Sequence, residues 1–143
     1  MGRDSGASGL SAREITVGYG KDAPILEGLS LDVLEGELTV IVGPNACGKS
    51  TLLRCLARVL GARSGVVELD GVELGTMNQK ALARRLGLLA QSSVAPGDML
   101  VEDLVARGRY PHHGLVRQWS AVDDEAVAGA MRDAGGSALA GRR

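Results

Sequence analysis

The chain has 143 residues, 45% of them hydrophobic, with one Trp, two Tyr and no Phe, enough for one aliphatic core but not for two. A formal net charge of −1 offers no basic field for a nucleic acid, no apolar run approaches the ~20 residues that span a bilayer, and the polar start Met1-Gly2-Arg3-Asp4-Ser5 lacks the apolar stretch of a secretion signal. Two cysteines, Cys47 and Cys55, make no disulfide framework, so a cytoplasmic, reducing setting is expected.

Residues 1–11 are rich in Gly and Ser and predict a disordered tail. Ala12–Gly18 carries Ile15 and Val17 in alternation and predicts a strand ending at Tyr19-Gly20. Ile25–Val33 alternates again through Leu29, Leu31 and Val33. After a turn at Glu35-Gly36, Leu38–Val42 is apolar nearly throughout, the pattern of a parallel strand covered on both faces. A helical pattern opens near Lys49, and Thr51–Leu60 places Leu52, Leu53, Leu56, Val59 and Leu60 at helical spacing, with Gly61 as the expected C-terminal stop. Val66–Leu69 and Val72–Leu74 flank Asp70-Gly71, a two-residue type I′ hairpin signal. Gln79–Leu86 predicts a short helix, and Leu86–Ala90 a second buried strand ending at Gln91. Ser92–Asp98 reads as a loop, Val101–Arg107 as a helix, Gly108–Ser120 as irregular and Ala121–Asp133 as a helix. Residues 134–143 show no periodicity and are expected to be irregular.

One segment carries chemistry outright. Gly43-Pro44-Asn45-Ala46-Cys47-Gly48-Lys49-Ser50 fits the phosphate-loop pattern G-x-x-x-x-G-K-[ST], with an apolar run before it and a helical pattern after it. Small residues let successive backbone N–H groups turn toward an anion, and the helix that follows adds its positive N-terminal end. Lys49 would reach the outer phosphates of a nucleotide and the Ser50 hydroxyl would be a Mg²⁺ ligand. The alternative is a Gly-rich turn that binds nothing. His112 and His113 have no acid or thiol at metal-ligand spacing, so a solvated or partner-facing surface is expected there. Asp123-Asp124-Glu125 sits where acids complement a helix N-terminus, a structural role rather than a catalytic one.

Taken together, residues 15–133 resemble the ATP-binding subunit of an ABC transporter. The marks are Tyr19 in Val17-Gly18-Tyr19-Gly20, the loop Gly43–Thr51, the run from Arg63-Ser64-Gly65 through Asp70-Gly71, and Gln91 at a strand end. Within that family, the stretch Val101–His112 resembles importers of iron-siderophore, haem or cobalamin. The resemblance implies an α/β phosphate-loop NTPase fold in partial form. Residues 12–91 would be the N-terminal half of the nucleotide-binding core, with an antiparallel β layer and core strands, and residues 92–133 part of a helical subdomain.

The cofactors implied are ATP and Mg²⁺. ATP would be held by Tyr19, Gly43, Pro44, Asn45, Ala46, Cys47, Gly48, Lys49, Ser50, Thr51 and Gln91. Tyr19 would stack on adenine, as an aromatic ring covers any purine face, unless it is simply packed at a strand end. Gln91 would touch Mg²⁺ and the attacking water, unless it is an ordinary junction residue. The implied partners are a second, full-length ATP-binding subunit, a membrane permease and, through it, a substrate-binding protein, with the chain peripheral on the inner face of the cell membrane.

Two departures from the family pattern stand out. Ala46 occupies a position where that family usually has Gly. The signature segment (LSGGQ-like), the second acidic strand, the catalytic Glu and the switch His are not found in these 143 residues. Lys49 and Gln91 would then contribute to a catalytic site that the chain does not complete alone, and the expectation is a truncated subunit without turnover by itself. The other readings are a nucleotide-binding fragment without turnover and an unrelated phosphate-loop kinase. The latter would need an acceptor site and a lid.

Overall fold

The computed structural model describes residues 9–91, 98–114 and 118–142, which fall into two compact units divided after Leu88.

The first unit is built on a four-stranded antiparallel sheet of order β2-β1-β3-β4. Its strands are β1 (Gly9–Val17), β2 (Leu26–Leu34), β3 (Ser64–Leu69) and β4 (Val72–Glu73). β1 is central and pairs Leu10 with Val33 of β2 on one side and with Leu69 of β3 on the other. Ala12, Ile15 and Val17 are all fully buried, yet Ala12 and Ile15 are an odd number of residues apart, which a regular strand would send to opposite faces. A β-bulge resolves this. The register shifts between Ala12 and Ile15 against β2 and between Arg13 and Thr16 against β3, and Glu14 takes φ 49°. Gly65 permits the bulge from the neighbouring strand. It sits at φ 79°, and a Cβ there would lie 2.4 Å from the carbonyl oxygens of Arg13 and Glu14.

Helix α1 (Lys49–Leu56) lays Leu52, Cys55 and Leu56 on this sheet, and α2 (Gln79–Ala83) adds Leu82. Each fully buried aliphatic side chain is worth about 2 kcal/mol of burial. The Asp70-Gly71 turn has positive φ at both residues, 51° and 75°, as the type I′ signal requires. α2 begins at Asn78, whose side chain accepts from the backbone N–H groups of Lys80 and Ala81.

Several expectations are corrected. β1 starts at Gly9, inside the stretch read as a tail, because residues 9–11 pair with β2 and residues 10 and 11 also with β3; residues 1–8 lie outside the described residues. α1 stops at Leu56, short of the Gly61 expected to end it. Arg58 adopts φ 55°, its N–H reaches the Cys55 carbonyl at 2.9 Å and the Val59 N–H reaches that of Arg54 at 2.8 Å. This is a Schellman stop with a non-glycine residue in the left-handed position. Residues 38–42 and 86–90 are not strands here. A parallel strand exists only as part of a ladder, and among the described residues neither segment has a strand partner, so Leu38, Val40, Val42 and Leu89 stand exposed. The loop expected at Ser92–Asp98 lies largely outside the described residues.

The second unit contains α3 (Val101–Ala106), a 3₁₀ turn at Arg107–His112, α4 (Ala121–Asp133) and a 3₁₀ turn at Ser137–Leu139. The 134–143 segment is ordered through 142 rather than irregular. α3 has no side-chain cap, so its first N–H groups need acceptors. Val101 finds the Arg142 carbonyl at 2.9 Å and Glu102 that of Ala140 at 3.2 Å. Gly135 at φ 65°, with the Gly136 N–H bonded to the Met131 carbonyl at 2.8 Å, ends α4.

Asp123 opens α4 rather than doing chemistry. Its buried carboxylate accepts from the Ser120 N–H at 3.0 Å, the Ser120 hydroxyl at 2.7 Å and Arg109 Nε at 2.9 Å, with His113 Nε2 3.1 Å away. The Ser120 hydroxyl first, then Arg109 and His113, hold its pKa well below the usual carboxylate range despite burial. His113 also meets the Trp119 ring edge-on at 5.6 Å, so it packs within this unit, at a position where a solvated or partner-facing surface is expected from the sequence.

Candidate functional site

The expected phosphate loop leads directly into α1. Ala46 and Gly48 both take left-handed backbone, at φ 64° and 95°, on either side of Cys47. Left-handed residues placed this way turn successive N–H groups toward one side, forming an anion-binding concavity. Gly48 is required twice over. Its φ disfavours any side chain, and a Cβ would lie 2.9 Å from Leu26 Cδ2 and 3.0 Å from Ile25 Cγ2. Gly43 is held by space instead, since a Cβ would lie 2.9 Å from Cys47 Sγ. Ala46 pays the steric cost that Gly48 avoids.

Helix α1 has no side-chain cap and no acid in its first turn. The N–H groups that open a helix are therefore left for an incoming acceptor. Lys49 folds back over the loop, its Nζ donating to the carbonyls of Gly43 at 2.9 Å and Pro44 at 2.5 Å, with Cys47 Sγ at 3.7 Å. Asn45, Ala46, Cys47 and Ser50 are exposed around it. The Ser50 hydroxyl, a hard oxygen donor in the first turn, is of the type Mg²⁺ takes, and no group of three or more His, Cys, Asp or Glu able to hold a metal ion occurs among the described residues. Thr51 is different. It is buried, and its hydroxyl is hydrogen-bonded to the Tyr19 phenol.

Tyr19 is thereby tied to the helix that follows the loop. Arg54 Nη1 donates to its phenolic oxygen at 3.1 Å. Thr51 first and Arg54 second hold the phenol below its ordinary pKa. Tyr19 stays 41% exposed. The first unit thus brings Tyr19, the loop 43–48, Lys49, Ser50 and Thr51 together. Gln91 is exposed and belongs to the second unit.

Two arginines make contacts that the sequence does not predict. Arg54 is one. The other is Arg63, whose Nη1 donates to the Asp22 carbonyl at 2.7 Å and whose Nη2 donates to those of Tyr19 and Gly20, both at 3.1 Å. Neither lies in a spacing pattern that would mark it, because both act across the fold.

Comparisons with known proteins bear on the family and the fold. The ABC transporter family model matches residues 26–143. The ferric enterobactin transport ATP-binding protein of Escherichia coli (strain K12) is 47% identical over 131 residues, covering 92% of this chain and 48% of that protein. The petrobactin import ATP-binding protein of Bacillus anthracis is 39% identical over 133 residues, covering 93% and 48%. A solved ATP-binding subunit of an ABC transporter superposes with a TM-score of 0.75 at 19% identity over 94% of this chain and 53% of that one, a likeness of fold. The chain spans about half the length of the curated relatives it matches.

Proposed function

This chain belongs to the ABC transporter family, and on that premise we propose that it carries the phosphate-binding part of an ATP-binding subunit that powers import of an iron chelate. The observation that carries the reading is the loop from Gly43 to Gly48, with left-handed residues at 46 and 48, running into an uncapped helix under Lys49.

Lys49 now donates to two neutral carbonyls. An ATP β- or γ-phosphate oxygen offers a charged acceptor in their place, and charge-assisted bonds are roughly twice as strong as neutral ones. The N–H groups at the loop's end and the first turn of α1 take the remaining oxygens. Tyr19, left exposed, covers adenine. Ser50 would hold Mg²⁺, which when bound neutralises charge on the β- and γ-phosphate oxygens, and Gln91 is assigned to the same ion by the family resemblance alone. In the assembled transporter the reaction is in-line attack of water on the γ-phosphorus, and Lys49 with the loop amides holds the charge that develops.

The relatives named for ferric enterobactin and petrobactin support an iron-siderophore cargo. No helix among the described residues is long and apolar enough to cross a membrane. By its family, the chain would reach the inner face of the cell membrane through a permease, with a second ATP-binding subunit completing the nucleotide site and a substrate-binding protein delivering the chelate. The reading is tested by comparing ATP with AMP in calorimetry. A site built on the outer phosphates binds ATP at least tenfold tighter, about 1.4 kcal/mol. Equal affinities would contradict it.

A further inference from the structure

Tyr19 lies in a short turn, residues 19–22, closed by a hydrogen bond of 3.3 Å from the Asp22 N–H to the Tyr19 carbonyl. A turn of this kind, exposed and containing Gly20 at φ 52°, has little of its own to fix the direction of a side chain. What fixes it comes from far along the chain. The Arg63 guanidinium donates to three carbonyls of this one turn, those of Tyr19, Gly20 and Asp22. Arg63 is itself anchored, because its backbone N–H donates to the Thr16 carbonyl at 2.8 Å as the chain enters β3. The turn also leaves room for it. Gly18 passes so close that a Cβ there would lie 2.8 Å from Arg63 Nη2.

From these contacts we propose that Arg63 is a positioning residue for adenine. It staples the backbone of the 19–22 turn so that the exposed Tyr19 side chain, held at its hydroxyl by Thr51 and Arg54, stands at a set distance from the phosphate loop. The planar fork suits the task. Its two terminal nitrogens reach three acceptors at once, and the single ammonium of a lysine cannot hold the same geometry. Base stacking depends on ring placement, whereas phosphate binding depends on the loop and Lys49. Arg63 therefore acts on the base and not on the phosphates. The inference rests on the reading of Tyr19 as the adenine platform.

The test measures the affinity of the full chain for Mg-ATP and for magnesium tripolyphosphate, which has no base, by calorimetry. The proteins are the parent, Tyr19→Ala, Arg63→Met, Arg63→Lys and the double variant Tyr19→Ala/Arg63→Met. Tyr19→Ala is expected to weaken ATP about tenfold and to leave tripolyphosphate unchanged. Arg63→Met is expected to weaken ATP about threefold or more, again without touching tripolyphosphate, and to add nothing once Tyr19 is gone. Arg63→Lys should show a smaller loss of the same kind, and it carries the test if Arg63→Met does not fold.

An equal loss for tripolyphosphate would make Arg63 a general stabiliser and overturn the proposal. So would unchanged ATP affinity in both Arg63 variants, or an undiminished Arg63 effect in the Tyr19→Ala background. If Tyr19→Ala itself leaves ATP affinity intact, the adenine reading fails and the role of Arg63 with it. If Tyr19→Ala is selective and the Arg63 variants are silent, only the Arg63 proposal fails.

Discussion

At the scale of single residues, the phosphate loop combines a glycine where the backbone demands one with an alanine where it does not get one. Ala46 at φ 64° carries a Cβ in left-handed backbone, which costs roughly 1–2 kcal/mol, partly offset by the greater freedom a glycine has when unfolded. Ala46→Gly should therefore raise stability by roughly 0.5–1 kcal/mol, seen as a melting temperature higher by a few degrees. An unchanged or lower value would show that the surrounding loop already accommodates the methyl group. Cys47 gives a second, independent probe. Its thiol is exposed beside Lys49, so Mg-ATP seated on the loop should slow its alkylation severalfold. Equal rates with and without saturating nucleotide would mean that the phosphates do not occupy the loop.

At the scale of elements, the parts legible in the sequence are those whose cause is local. The alternation of β2, the Asp70-Gly71 hairpin and the acids that open α4 each follow from neighbours a few residues away, and the structure has them where the pattern puts them. The departures have distant causes. The bulge at Glu14 depends on Gly65 in another strand, the left-handed Arg58 that stops α1 before Gly61 bonds through its side chain to the Met77 carbonyl at 2.7 Å, and residues 140 and 142 supply acceptors for the first N–H groups of α3. The contacts of Arg63 and Arg54 were illegible for the same reason. The site itself was legible as a loop, since its residues are consecutive, but not as a set of bonds that hold Tyr19.

The start of α4 offers a test in acid. Because Asp123 is more acidic when folded than the ~3.9 of an unfolded aspartate, its contribution is present above that value and lost as pH falls through it toward the folded pKa. Trp119, the only tryptophan, lies in this unit. The urea midpoint read by its fluorescence should fall from about pH 5 to about pH 3 in the parent, and clearly less in Asp123→Asn. Parallel profiles for the two proteins would show that another group governs the acid response.

At the scale of the whole molecule, two apolar segments lie outside any ladder. Leu38 is 91% exposed, Val42 83% and Leu89 92%. Such surface recruits other chains, by strand pairing or by simple apolar contact. The purified 143-residue chain should bind a hydrophobic dye strongly and aggregate with concentration, and Leu38→Lys with Val40→Lys should reduce both. A chain that stays monomeric without dye binding would mean that these segments are covered in solution.

Nucleotide binding through Lys49 is therefore the claim on which the rest depends, and calorimetry of Mg-ATP with the parent and with Lys49→Ala addresses it most directly. The substitution removes the loop's only side-chain cation and leaves its backbone donors in place. A loss of tenfold or more, at least about 1.4 kcal/mol, is the result expected. Equal affinity of the two proteins for ATP would contradict the account.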